Sequence, residues 1–161
     1  AATPTRGIVV LAKVLVFSAA AFVVGLISSF AAFFVGTSIL SSKVSVSITS
    51  PHALRCVLGA ALYLTGVGLL GLGLGAIIRR TAGAIAVLVG LVLIAPQIIE
   101  LLPSPWNDDV SKYMPGPAGQ TLFHVVSNRV VLSNGAGAVV FLCYPIAACI
   151  IGWLLIRSRD A

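Results

Sequence analysis

Four long apolar stretches, separated by short intervals that carry Arg, Ser or Pro, take up most of the chain. They lie at about 8–40, 52–78, 82–102 and 135–156. A membrane-spanning helix needs about 20 apolar residues to cross a hydrocarbon core of ~30 Å, and each stretch is long enough. Strict alternation of apolar and polar residues is absent, so a β-barrel is not expected. The pattern predicts an all-α, polytopic transmembrane helical bundle with four spans.

The interval before the last span differs from the others, because residues 103–134 are polar and aromatic. Trp106 and Tyr113 suit the aromatic belt at a membrane interface. The segment Gln120–Val126 is too short and too mixed to cross a membrane, and is better suited to a helix lying along or dipping into the interface. The sequence therefore predicts a short external helical element, interfacial or re-entrant, between the third and fourth spans.

Composition supports a membrane protein and leaves no room for a soluble catalytic domain. The chain is 59% hydrophobic and 9% charged, with a mean hydropathy of +1.13. A soluble domain of 161 residues needs more polar surface than this. We therefore interpret residues 1–161 as one transmembrane domain. The net charge of +6 needs no nucleic-acid partner, because basic residues at membrane edges and anionic lipid account for it.

The basic residues predict an orientation. With four spans, the start of the first span, the turn between the second and third, and the chain's end share one side of the membrane. That side holds six of the ten basic residues: Arg6, Lys13, Arg79, Arg80, Arg157 and Arg159. The positive-inside rule makes it the cytoplasmic side. Both ends of this chain are therefore expected in the cytoplasm.

No arrangement of residues indicates an active site. The chain lacks a Ser-His-Asp arrangement, a two-carboxylate catalytic arrangement and a His-Glu-x-x-His motif, and Cys56, Cys143 and Cys149 lack ligand spacing. His124 has no ligand partner in its segment. We expect no catalytic residue, no cofactor and no metal ion in this chain.

Small residues predict how two of the spans pack. Gly71 and Gly75 are four residues apart in the second span, and Ala82, Ala86 and Gly90 form a similar stripe in the third. Small residues at this spacing let helix backbones approach closely. We therefore expect the second and third spans to pack through these faces. A phosphate-binding loop is excluded because no strand precedes the glycines and no Lys-Ser/Thr follows them.

The end of the third span carries polar groups beside a proline. Pro96 removes a backbone hydrogen bond and predicts a kink, and Gln97 and Glu100 share the kinked face. A carboxylate in a membrane is costly, although less so near the interface. Two interpretations stay open for Gln97 and Glu100: a structural or interfacial role, or a place on a translocation path.

Five segments, at 2–7, 69–85, 101–106, 112–120 and 155–160, carry a resemblance to a known family. In this order and spacing they resemble the C-terminal two-thirds of an actinobacterial type-2 ATP-binding-cassette (ABC) transporter permease. The individual motifs are short and apolar, so the specificity lies in their order.

The resemblance implies that this chain holds the third to sixth of six transmembrane helices in a bacterial plasma-membrane exporter. It implies a second permease copy, forming a homo- or heterodimer, and a cytoplasmic ABC ATPase subunit that holds ATP and Mg. Without the first two helices the chain alone would not transport. Contacts that couple it to the ATPase are expected at Thr3, Pro4, Arg6, Arg79 and Arg80.

Two other classes of protein stay open. One is a non-transporting multi-span scaffold that binds a partner or lipid. The other is a fragment of a secondary carrier, although carriers usually place polar groups near the midplane, where these spans hold little beyond Ser, Thr and Gly. The sequence does not name a transported substrate.

Overall fold

A computed structural model describes residues 6–40, 51–101, 103, 106–123 and 132–159. Throughout these residues the regular elements are helices, and no strand occurs among them. The long helices are α1 (Arg6–Leu40) and α2 (Pro51–Ile78), then a helix in three parts, and finally α7 (Asn134–Arg159). The three parts are α3 (Thr81–Val89), a π-helical segment (Gly90–Ile94) and α4 (Ala95–Glu100). Two short helices precede α7, namely α5 (Trp106–Ser111) and α6 (Pro115–Gln120).

The predicted fold class is confirmed. The described residues include four helices long and apolar enough to cross a membrane, at Val9–Ile39, Ala53–Ile78, Thr81–Glu100 and Gly135–Ile156. Helices are the expected form of such apolar runs, because a helix satisfies every backbone hydrogen bond within its own segment. The chain is therefore a polytopic helical bundle of a membrane protein.

Helix α2 is the centre of the bundle, since it packs against both α1 and α7. Against α1, Gly25 lies next to Ala61 and the Phe17 ring lies next to Gly68, so these two helices are antiparallel. In the most apolar stretch of each span, only 6% of α1 is buried inside the structure, compared with 28% of α2. Most of α1 is therefore open to lipid or to another protein.

Helices α2 and α7 run parallel. Gly66 packs against the Phe141 ring, and seven residues further along both helices Gly73 packs against Ala148. A Cβ atom at Gly73 would lie 2.7 Å from the backbone carbon of Ala148, a distance that real Cβ atoms do not adopt. Parallel packing puts the end of α7 at the same end of the bundle as the end of α2.

A two-residue turn joins α2 to α3. Arg79 adopts a left-handed conformation with φ of 57°, and its N–H donates to the carbonyl of Gly75 at 3.0 Å. A left-handed residue after the last helical turn is a common way to end a helix, although glycine is usual there. Arg80 is extended and forms the N-cap of α3. The turn reverses the chain, so α3 returns antiparallel to α2, with Leu88 beside Gly71.

The third span changes its helical form just before Pro96. The N–H of Ala95 donates to the carbonyl of Gly90, five residues earlier, which is the π-helical pattern. Proline at position 96 has no N–H for the carbonyl of Val92, and its ring crowds that carbonyl. The span continues through Pro96 as α4, because the π segment before it shifts the hydrogen-bond pattern by one residue and accommodates the missing N–H of the proline.

Helix α6 is packed into one end of the bundle. Its residues Pro115, Gly116, Ala118 and Gly119 are buried, and it contacts α7, α2 and the π segment. The expectation of a helix at Gln120–Val126 is wrong where the structure describes it, because α6 ends at Gln120 and residues 121–123 form a turn. The helix starts earlier because Pro115 is favoured in a first turn and the small residues after it allow close approach.

Candidate functional site

The helix directions bring the predicted coupling residues to one end of the bundle. Helix α1 begins at Arg6 and runs antiparallel to α2, which ends at the Arg79–Arg80 turn. Helix α7 runs parallel to α2 and ends at Arg159, at that same end. We call this the basic end. Thr3 and Pro4, also predicted to contact an ATPase, lie outside the described residues.

Arg79 and Arg80 project from the basic end as exposed side chains. The left-handed conformation of Arg79 disfavours any side chain that has a Cβ, by about 1–2 kcal/mol. The tight turn thus holds two adjacent cationic side chains beyond the end of a hydrophobic hairpin. Such a surface suits contact with acidic protein side chains or with anionic lipid headgroups.

The opposite end is closed by the segment from α5 to the turn after α6. Tyr144 of α7 donates its hydroxyl to the carbonyl of Tyr113 at 3.0 Å. Cys56 of α2 donates its thiol to the carbonyl of Phe123 at 2.9 Å. Both bonds join a span to this segment, which we call the capping element. The capping element is therefore attached to α2 and α7 together.

Close backbone approach also attaches the capping element to the third span. A Cβ at Gly116 would lie 2.7 Å from the carbonyl oxygen of Val92 and 3.4 Å from Cγ of Pro96. That carbonyl is the one for which Pro96 supplies no N–H. The proline therefore exposes a backbone carbonyl, and the glycine of α6 lies against it. The sequence indicated a kink at Pro96 but gave no sign of what would contact it.

An aromatic cluster lies beneath the capping element and was missed from the sequence. The Tyr63 ring lies between Phe123, with centroids 5.6 Å apart, and Phe141, with centroids 5.2 Å apart. Gly66 and Gly119 leave room for the rings of Phe141 and Tyr63. Aromatic pairs at these distances add stabilisation beyond their buried area. The only sequence signal was aromatic residues in two spans and in the interval between them, which does not specify that they meet.

Gln97 and Glu100 lie at the end of α4, on the same side of the bundle as the capping element. Both are exposed, whereas Pro96 beside them is buried. The role of Gln97 and Glu100 on a translocation path stays a prediction. Their exposure makes them accessible to solvent, headgroups or another protein chain.

The residues predicted to pack α2 against α3 are mostly not in close contact. A Cβ at Gly71 would lie 3.2 Å from Cδ2 of Leu88, but within the described chain no atom lies within 4 Å of that position at Gly75 or Gly90. Ala82 and Ala86 are exposed. Among the described glycines on this face of α2, only Gly71 meets α3 closely, through a side chain, whereas the backbone-level contacts of α2 are on another face.

That other face carries Gly59, Gly66 and Gly73, spaced seven residues apart. Gly59 lies against the Leu122 backbone, Gly66 against the Phe141 ring and Gly73 against the Ala148 backbone. Seven residues are close to two helical turns, so the three glycines stay on one side of α2. The seven-residue glycine spacing is visible in the sequence, but only the structure shows that Gly66 and Gly73 contact α7 and that Gly59 contacts the turn after α6.

Within the described residues no group of three or more His, Cys, Asp or Glu side chains could hold a metal ion. Close contacts and hydrogen bonds join α2, α7 and the capping element, and the described residues include two exposed arginines at the other end of the bundle. No family model matches the chain, and comparison with curated proteins and with solved structures gave no match.

Proposed function

We propose that this chain is the membrane-spanning permease part of an ABC exporter, working with a separate cytoplasmic ATPase subunit. The observation that best supports the proposal is the basic end, where α1 begins and where the exposed Arg79–Arg80 turn lies. A cytoplasmic motor must press on residues at one end of the spans. The order and spacing of the motifs that resemble such permeases give the proposal its specific form.

The packing of α2 supplies a way to transmit that push. The face of α2 that carries Gly66 and Gly73 packs closely against α7, and the capping element is hydrogen-bonded to both helices. Movement of the α2–α3 turn would therefore shift α2, α7 and the capping element together rather than bend α2 alone. Closely packed helices that move as a rigid body suit alternating access between two openings.

A second permease copy fits the surface that the bundle leaves open. Large apolar side chains remain exposed along α1 and along α7, for example Phe34, Ile39 and Val139. In a dimer the path would lie between the copies, where Gln97 and Glu100 are accessible. ATP and Mg would be bound by the ATPase subunit.

Charge reversal at the basic end tests the proposal. The full permease is co-expressed with the ABC ATPase subunit that the proposal requires, and co-purification and permease-stimulated ATP hydrolysis are measured. We expect a double reversal, Arg79→Glu with Arg80→Glu, to lower both by about tenfold, which corresponds to about 1.4 kcal/mol of contact energy.

The matched control is Arg55→Glu with Lys112→Glu, which changes the net charge equally at the opposite end. Membrane abundance of each variant is checked by quantitative blotting. An ATPase complex that survives reversal at the basic end as well as it survives the control would overturn the coupling role. A separate substitution, Glu100→Gln, tests the translocation path. If the variant reaches normal membrane abundance and its substrate-stimulated ATP hydrolysis is unchanged, Glu100 has a structural role only.

A further inference from the structure

A groove runs between α1 and α2 next to the capping element. Its volume is about 510 Å³, and most of its lining is apolar, including Ala32, Val57, Ala60, Tyr63 and Phe123. This volume is within the range of pockets that bind small ligands. One helical turn away, a Cβ at Gly25 would lie 3.1 Å from the carbonyl oxygen of Ala61, so the two helices are held in close contact there. The groove is therefore a fixed feature of the helix pair.

Ser29 places a polar atom without a partner in this apolar lining. The residue is 9% exposed, and its Oγ makes no hydrogen bond within the described chain. Several other hydroxyls in the spans donate to their own helix, as Thr65 does to the carbonyl of Ala61 at 2.8 Å and Thr37 to that of Phe33 at 2.9 Å. A buried hydroxyl that lacks such a bond is unfavourable unless a ligand supplies an acceptor.

The groove opens sideways towards the bilayer. The lining residues Ser28, Ala32 and Leu64 are exposed and belong to two membrane-spanning helices. Val57 lies four residues, or about 6 Å, inside the apolar span that begins at Ala53, and Leu64 lies about 16 Å inside it. The groove thus extends from near the headgroup boundary to near the middle of a hydrocarbon core of ~30 Å.

We infer that this groove binds an acyl chain of a bilayer phospholipid, with the ester carbonyl accepting a hydrogen bond from Ser29 Oγ. The apolar lining suits the chain, the groove extends from near the headgroup boundary towards the middle of the core, and the antiparallel α1–α2 contact puts Ser29 level with Val57, about 6 Å inside the span. This inference does not depend on an exporter function, because it rests on the groove formed by α1, α2 and Phe123 of the capping element.

Photo-crosslinking tests the occupancy. The full chain is reconstituted in phosphatidylcholine vesicles that contain a small fraction of phosphatidylcholine with a diazirine on one ester-linked acyl chain, and labelled peptides are identified by mass spectrometry. We expect labelling to concentrate on residues 28–33 and 56–64. Ala60→Phe, which fills the groove, should lower it at least fivefold, whereas Ala86→Phe, on the exposed face of α3, should not change it.

Ala60→Leu serves as a second groove-filling variant, and both are checked for normal helix content by circular dichroism. Labelling spread evenly over all exposed spans and unchanged by both variants would show annular lipid only and overturn the inference. Absence of label from the groove, with crosslinks to a second protein chain there instead, would also overturn it.

A second comparison tests the hydrogen bond from Ser29. A diether phosphatidylcholine probe has the same chains but no ester carbonyl. We expect Ser29→Ala to lower labelling by the ester probe about three- to tenfold and to leave labelling by the ether probe unchanged. Ser29→Thr, which keeps a hydroxyl, should retain the preference for the ester probe. An equal effect of Ser29→Ala on both probes would overturn the hydrogen bond.

Discussion

Substituting Gly73 by alanine tests how the two central helices are held together. A Cβ at this position would lie 2.7 Å from both the backbone carbon and the Cβ of Ala148 and 2.9 Å from the nitrogen of Cys149. Backbone atoms cannot rotate away as a side chain does, so α2 and α7 would have to separate. Overpacking of this kind costs about 1–3 kcal/mol. Alanine gains about 0.5–1 kcal/mol over glycine within a helix, so the net loss lies at roughly 0–2.5 kcal/mol, with a midpoint of about 1 kcal/mol.

Gly75→Ala is the matched control, because it makes the same change two residues further along α2. Apart from its chain neighbours and the nearby backbone of α2 itself, no atom of the described chain lies within 4 Å of its Cβ position. We expect it to stabilise the protein by about 0.5–1 kcal/mol through helix propensity alone. Unfolding by sodium dodecyl sulfate in dodecyl maltoside micelles, followed by circular dichroism, measures both variants. If Gly75→Ala is as destabilising as Gly73→Ala, the proposed α2–α7 contact is refuted.

Three further substitutions follow from individual contacts and use the same unfolding assay. Arg79→Gly should stabilise the chain by about 1 kcal/mol, because glycine removes the steric cost of the left-handed conformation. Arg80→Gly, in extended backbone, should give no gain in stability, and a gain at both positions would contradict this reasoning. Tyr144→Phe should cost about 0.5–1.5 kcal/mol by removing its hydrogen bond, and Tyr113→Phe should leave that bond intact because only the backbone of Tyr113 accepts it. Gly116→Ala should raise the rate of amide hydrogen exchange in the capping element, because the new Cβ would lie 2.7 Å from a backbone carbonyl oxygen of the π segment. An unchanged exchange rate would show that α6 is held in place without this contact.

Much of the candidate site could be located in the sequence but not assembled from it. The basic residues Arg79 and Arg80 were recognisable from their place between two apolar runs. That α1 is antiparallel to α2 and α7 parallel to it, so that their basic termini share one end, follows from contacts such as Gly25–Ala61 and Gly73–Ala148. A count of spans predicts the same grouping, but it does not say which helices touch.

The sequence alone determined that the chain forms four membrane-spanning helices, through the hydrophobicity and length of its apolar runs. An uninterrupted apolar run in lipid must form a helix so that its backbone hydrogen bonds are made within the run. The partner of each helix face was decided only by the tertiary structure. Gly71 and Gly75 have the four-residue spacing that favours packing, yet the close contacts of α2 are at Gly66 and Gly73. The physical reason is that lipid is as apolar as the helices, so hydrophobicity does not select a face and the fit between backbones and neighbouring side chains decides it.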